Sequence, residues 1–195
     1  SVTLLNPTFV QKVILTAYAD TATSVSLALG IILGARAIIV MEERSFGAAM
    51  RGFLIAGLVL AVLVTLKQST LELFLLGLIG LGLFGISRDL HALPRTFGAV
   101  VIIALPGLFL YAIWRMYVAA ELVGAEFSFL PYDQWNVELI PDILFAMGYV
   151  LIKKSAYLLA VLLAIYMGLR VFVRPTFTNR LMLAAAIVFI GHITF

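Results

Sequence analysis

Between its clusters of charge this chain runs apolar for stretches close to the ~20 residues that a helix needs to cross a bilayer core. Hydrocarbon offers no partner for a backbone N–H or C=O, so apolar runs of that length in lipid are held to helices, whose backbone bonds are internal. Hydrophobic residues make up 64% and charged residues 12% of the chain, and the mean hydropathy is +1.15. Soluble domains carry about 45–50% apolar and roughly 25% charged residues. The sequence therefore predicts an all-α, polytopic transmembrane bundle forming a single domain over residues 1–195.

Charge and turn residues divide the runs. A first span is expected over 21–41, ending at Glu42, Glu43 and Arg44, and a second over 53–66, with a start as early as Ala48 allowed. A third covers 71–86 and carries Gly77, Gly80, Gly82 and Gly85; a polar stretch with Pro94 closes it. The fourth, 97–114, contains Pro106, which removes one helical hydrogen bond and bends the axis. A long acidic connection, 115–142, holds Glu121, Glu126, Asp133, Glu138 and Asp142 beside Tyr117, Tyr132 and Trp135.

Two apolar stretches follow, 139–152 and 155–173, separated by Lys153 and Lys154. As one helix they would reach roughly 50 Å, more than the ~30 Å of a bilayer core. The first is expected to be re-entrant or interfacial and the second to span. Arg170, Arg174, Pro175 and Arg180 precede a last span over 181–195. The expectation is about six spans plus one short non-spanning helix.

With six crossings, Arg36, Arg44, Arg51, Arg88, Arg95, Arg170, Arg174 and Arg180 fall on one side. Lys12, Lys67, Arg115, Lys153 and Lys154 fall on the other. Basic loops stay in the cytoplasm, so the arginine-rich side is expected to be cytoplasmic, in a bacterial inner membrane, with the acidic connection outside. The aromatics Tyr111, Trp114, Tyr117, Tyr132 and Trp135 suit that outer interface. The sequence starts at Ser1 without a methionine, as a processed or trimmed terminus would. Ala17-Tyr18-Ala19 faintly resembles a cleavage site, but the apolar run before it is too short for a signal peptide.

Ala22, Ser26, Gly30 and Gly34 recur every four residues and form a small-residue stripe that ends in a GxxxG pattern. Such a stripe lets a second helix approach, either within the chain or in another subunit. Asp20, Arg36, Glu43 and His192 are the candidate intramembrane polar sites, since ionisable groups within spans are functional candidates. Asp20 and Arg36 lie roughly 24 Å apart along a helix and cannot pair. Asp20 is expected at the outer boundary, while Arg36 reaches the inner headgroups. Glu43 lies two turns on and nearly on the face of Arg36, a spacing that allows a small polar network at the inner surface.

No chemical signature accompanies these residues. Cysteine is absent, which removes disulfides, thiolate metal sites and cysteine nucleophiles. His91 and His192 fall on opposite sides, so they do not form a bis-histidine haem site; no HExxH zinc motif, phosphate loop or dinucleotide fingerprint occurs. No cofactor, metal site or nucleic-acid partner is expected, and the basic residues read as topology signals. The composition favours a non-catalytic membrane subunit that packs with other membrane subunits into a secretion, transport or energy-converting complex. A small solute or ion transporter or channel is the alternative, but transporters show matched broken helices and midplane polar groups. Here there is one proline-bent span and one broken pair, but no clear internal repeat, and the spans are nearly free of midplane charge.

Overall fold

The computed structural model describes residues 11–66, 70–121, 137–139, 141–142, 145–146, 148–149 and 155–194. Six long helices among the described residues follow from the apolar runs: α1 (Gln11–Glu43), α2 (Phe46–Leu66), α3 (Leu71–Ile86), α4 (Leu93–Glu121), α5 (Ser155–Leu169) and α6 (Phe177–Thr194). Among the described residues every regular element is helical.

Polar residues at the joints set the helix ends. Ser45 caps α2: its Oγ accepts the Ala48 N–H at 3.2 Å. That cap starts α2 at Phe46, two residues before the earliest start allowed from hydropathy, Ala48, and seven before Phe53. The Thr70 hydroxyl donates to the Leu63 carbonyl and ties the start of α3 to the end of α2. At the other end of α3, Ser87 N–H donates to Leu83 O at 3.0 Å. A 3₁₀ turn, Leu90–Ala92, leads into α4, which runs past the expected end at Trp114 to Glu121 and includes Pro106.

The start of the last helix also differs from expectation. Thr176 Oγ1 accepts the Asn179 N–H at 3.3 Å and Arg180 N–H donates to Thr176 O at 3.0 Å, so the helix begins at Phe177 rather than Leu181. Arg180 consequently lies in the first turn of α6, not in a connecting loop.

Among the described residues three helical segments are long and apolar enough to cross a membrane: Thr21–Glu43, Phe46–Leu66 and Leu90–Tyr117. Leu71–Ile86, Val161–Phe172 and Phe177–Gly191 are apolar but shorter. With 16 residues, α3 extends roughly 24 Å, less than the ~30 Å core. Of the expected interfacial helix at 139–152, residues 139, 141–142, 145–146 and 148–149 are described and are helical; the rest of it lies outside the described residues.

In the bundle α1 and α2 form a helical hairpin, α4 lies along α2, and α3 packs among α1, α4 and α6, with α5 on the flank of α6. Phe53, Leu60, Leu63, Phe74, Leu81 and Ile103 are among the fully buried side chains of the core. Lipid is as apolar as leucine, so close van der Waals fit holds helices together there. Gly57 meets a neighbouring backbone: a Cβ at this position would sit 2.6 Å from the Ile103 carbonyl oxygen and 3.1 Å from Pro106 Cγ. Glycine thus lets the backbones of α2 and α4 approach beside the proline. Leu29, Leu58, Ile79, Phe109 and Leu163 point outward, and an apolar exterior of this kind exceeds what a soluble monomer presents. The three long apolar helices fit an integral membrane protein.

Candidate functional site: a buried arginine at the end of the bundle

Ile31, Ala35 and Ile38 form one buried stripe of α1. Continuing it by the helical repeat of 3.6 residues arrives at Glu42, whereas Glu43 turns away with Arg36. On α3 the buried positions Phe74, Gly77, Leu81 and Phe84 continue in the same way to Arg88, and on α6 the buried Ala184 and Val188 trace back to Arg180. All three stripes converge at one end of the bundle. There Glu42 closes the stripe of α1 and Arg180 opens that of α6, while Arg88 lies just past the end of α3 with its side chain exposed.

Arg180 is the largest fully buried side chain among the described residues, with 1% of its surface exposed. Its Nη1 donates to Glu42 Oε2 at 3.0 Å and its Nη2 donates to Glu42 Oε1. Arg88 adds a bond from its Nη1 to Glu42 Oε2 at 3.2 Å. The Arg180 side also reaches α3: Nε and Nη2 donate to the Phe84 carbonyl at 2.9 and 2.8 Å. The guanidinium carbon lies 4.1 Å from the Phe84 ring centroid, within cation–π range. Phe177 packs edge-on against the same ring at 5.8 Å.

This geometry answers three electrostatic problems together. Phe84 O belongs to the last turn of α3, where carbonyls lack helical donors and carry the negative end of the macrodipole. A guanidinium is the favourable group there. Glu42 lies at the C-terminal end of α1 and Arg180 near the N-terminal end of α6, each at the dipole end that disfavours its own charge. Paired side by side, with the planar fork of arginine on both carboxylate oxygens, they compensate one another. The carboxylate is 11% exposed, and both its oxygens are engaged, so the cluster joins α1, α3 and α6 and offers no open carboxylate oxygen.

The network that the spacing of Arg36 and Glu43 allows does not form. Both are exposed, and neither has an ion-pair partner among the described residues. The stripe of α1 that faces the core ends at Glu42, so the adjacent glutamate takes the role. Of the small-residue stripe, Gly30 and Gly34 are buried, and Ala22 and Ser26 are half-buried. A Cβ on Gly30 would come within 2.5 Å of Leu60 of α2, and one on Gly34 within 2.7 Å of Leu81 of α3. These glycines therefore face neighbouring helices of the same chain. Asp20 lies on α1 and His192 on α6, with their side chains outside the described residues.

His91 is exposed in the turn before α4, where Asp89 Oδ1 accepts its backbone N–H at 2.9 Å and contacts Nδ1 at 3.0 Å. The backbone bond, then the ring, hold the Asp89 carboxyl below its ordinary value. Its contribution to the turn is complete above the ordinary carboxylate range and is lost as pH falls through the lowered value. Among the described residues no cluster of three His, Asp or Glu side chains could hold a metal ion.

Arg180 and Glu42 were not among the residues singled out from the sequence. The signal for Arg180 is Thr176: read as an N-cap, it places the arginine inside a helix. Comparison with protein-family models, characterised proteins and solved structures finds no match.

Proposed function

We propose that this chain is a non-catalytic, six-crossing subunit of a larger membrane complex, seated in a bacterial inner membrane with its arginine-rich end toward the cytoplasm. The observation that carries the reading is the second half of α4. From Leu108 to Tyr117 its residues are exposed around the whole circumference, apart from the half-buried Tyr111. A helix bare on every side over nearly three turns is a surface for neighbours to cover, and Trp114 and Tyr117, with ring centroids 6.0 Å apart, suit an interfacial belt. The use of charge supports the same role. The buried guanidinium is consumed in joining helices at one end of the bundle, whereas transport sites place ionisable groups near mid-depth.

Purification in mild detergent, with identification of co-migrating chains, tests the proposal. Stable partners are expected. A solitary, monodisperse chain that moves a solute into liposomes would replace the subunit reading with that of a transporter. Labelling of Ser45→Cys from the cytoplasmic side is expected, and modification from the outside would reverse the orientation.

A further inference from the structure

Two connections flank the Glu42–Arg180 pair, one between α3 and α4 and one between α5 and α6. The second has an unusual form. A 3₁₀ turn, Arg170–Phe172, is anchored by the buried Val171, while Phe172 and Val173 project outward at 80% and 79% exposure. Arg170 and Arg174 bracket them, and both arginines are exposed. The guanidinium carbon of Arg170 lies 5.8 Å from the Tyr166 ring centroid. The first connection repeats the combination, with exposed Leu90 and Leu93 followed by exposed Arg95.

Charge at this end is strongly one-sided. Eight arginines gather there, namely 36, 44, 51, 88, 95, 170, 174 and 180, against the acidic Glu42, Glu43 and Asp89. Glu42 is already engaged by Arg180 and Arg88, and Asp89 by His91. The remaining exposed guanidiniums face outward without carboxylates among the described residues. A free phosphate would answer the arginines and leave Phe172, Val173 and Leu90 in water. A phospholipid answers both, because its headgroup supplies the anion and its acyl boundary covers the apolar side chains.

We propose that the arginine-rich end is a binding surface for anionic phospholipid, with Arg95, Arg170 and Arg174 receiving the headgroup phosphates and Phe172, Val173 and Leu90 set into the acyl boundary. The proposal rests on the helices lying in a bilayer and is independent of the assembly role. It also gives the second connection a reason for its shape: burying Val171 fixes the turn so that its neighbours point away from the protein.

The test uses the full chain reconstituted in vesicles of equimolar phosphatidylglycerol and phosphatidylcholine, then extracted in mild detergent and weighed with its retained lipids by native mass spectrometry. Retained lipid is expected to be enriched in phosphatidylglycerol. A juxtamembrane arginine corresponds to about five-fold in affinity for an anionic surface, so R170Q/R174Q is expected to lower the enrichment by at least that factor. R115Q, at the opposite end, is expected to leave it unchanged. F172S/V173S is expected to reduce retention of both lipids.

Unchanged enrichment in an R170Q/R174Q protein of normal helicity would overturn the proposal. So would displacement of phosphatidylglycerol by millimolar glycerol phosphate, which would reveal a site for the free anion. Retention of neither lipid by the unsubstituted protein would overturn the bilayer reading itself, whereas equal retention of both would overturn only this surface.

Discussion

The junction of α2 with α4 and the junction of α1, α3 and α6 hold helices together by opposite means. At the first, Gly57 meets the Ile103 carbonyl beside Pro106, and no charge takes part. At the second, Arg180 links Glu42 to the Phe84 carbonyl through four bonds of one guanidinium. The first lies along the helices, the second at their ends. Within an apolar bundle, removing a Cβ is the inexpensive way to bring two backbones together. At an end, unpaired carbonyls and helix dipoles make a charged side chain favourable.

The ionic junction should be the more fragile of the two. Removing one partner of a buried pair costs about 3–5 kcal/mol when the other charge is left uncompensated; Arg88 still reaches Glu42, so Arg180→Leu is expected to cost the lower part of that range, about 3 kcal/mol, in chemical unfolding in detergent. Glu42→Leu combined with Arg180→Leu should recover part of the loss, since both charges then leave together. Strict additivity of the two single losses would show that the pair is not coupled.

At the glycine junction Gly57→Ala must push α4 away, and overpacking of this kind costs roughly 1–3 kcal/mol. Gly47 makes the internal comparison, because a Cβ there meets nothing within 4 Å. The same unfolding measurement should find Gly47→Ala neutral or mildly stabilising, by up to ~1 kcal/mol. Equal effects at the two glycines would remove close approach as the explanation.

The smallest expected effect concerns how the ionic junction is positioned. Thr176→Ala removes the cap that starts α6 one turn ahead of Arg180, at about 1 kcal/mol. If the cap also sets the arginine's phase, hydrogen exchange should rise at the first turn of α6 and at Phe84's end of α3 together. A rise confined to α6 would separate the cap from the junction.

Much of the fold was legible because backbone satisfaction in lipid leaves few choices. The boundaries of α3 follow the hydropathy directly, at residues 71–86. Hydropathy misplaced the starts of α2 and α6, since Ser45 and Thr176 act through hydrogen bonds that begin a helix before its apolar run does. Hydropathy also produced six crossings, whereas among the described residues length and composition together single out three segments. The candidate site was hidden for a different reason. These helices are apolar on nearly every side, so their sequences carry no phase to separate a core face from a lipid face. Without a phase, Glu42 and Glu43 are equivalent, and Arg36 is as plausible a partner as Arg180.

By itself, then, the sequence determined an all-helical chain suited to a bilayer and the gathering of arginine at alternate joints, because those depend on local composition and on run length. Only the tertiary structure decided which face of each helix is buried, and therefore that Glu42 and Arg180 meet while Arg36 and Glu43 do not. Two residues 138 positions apart become partners through the packing of three helices, and no local pattern in an apolar chain specifies that packing.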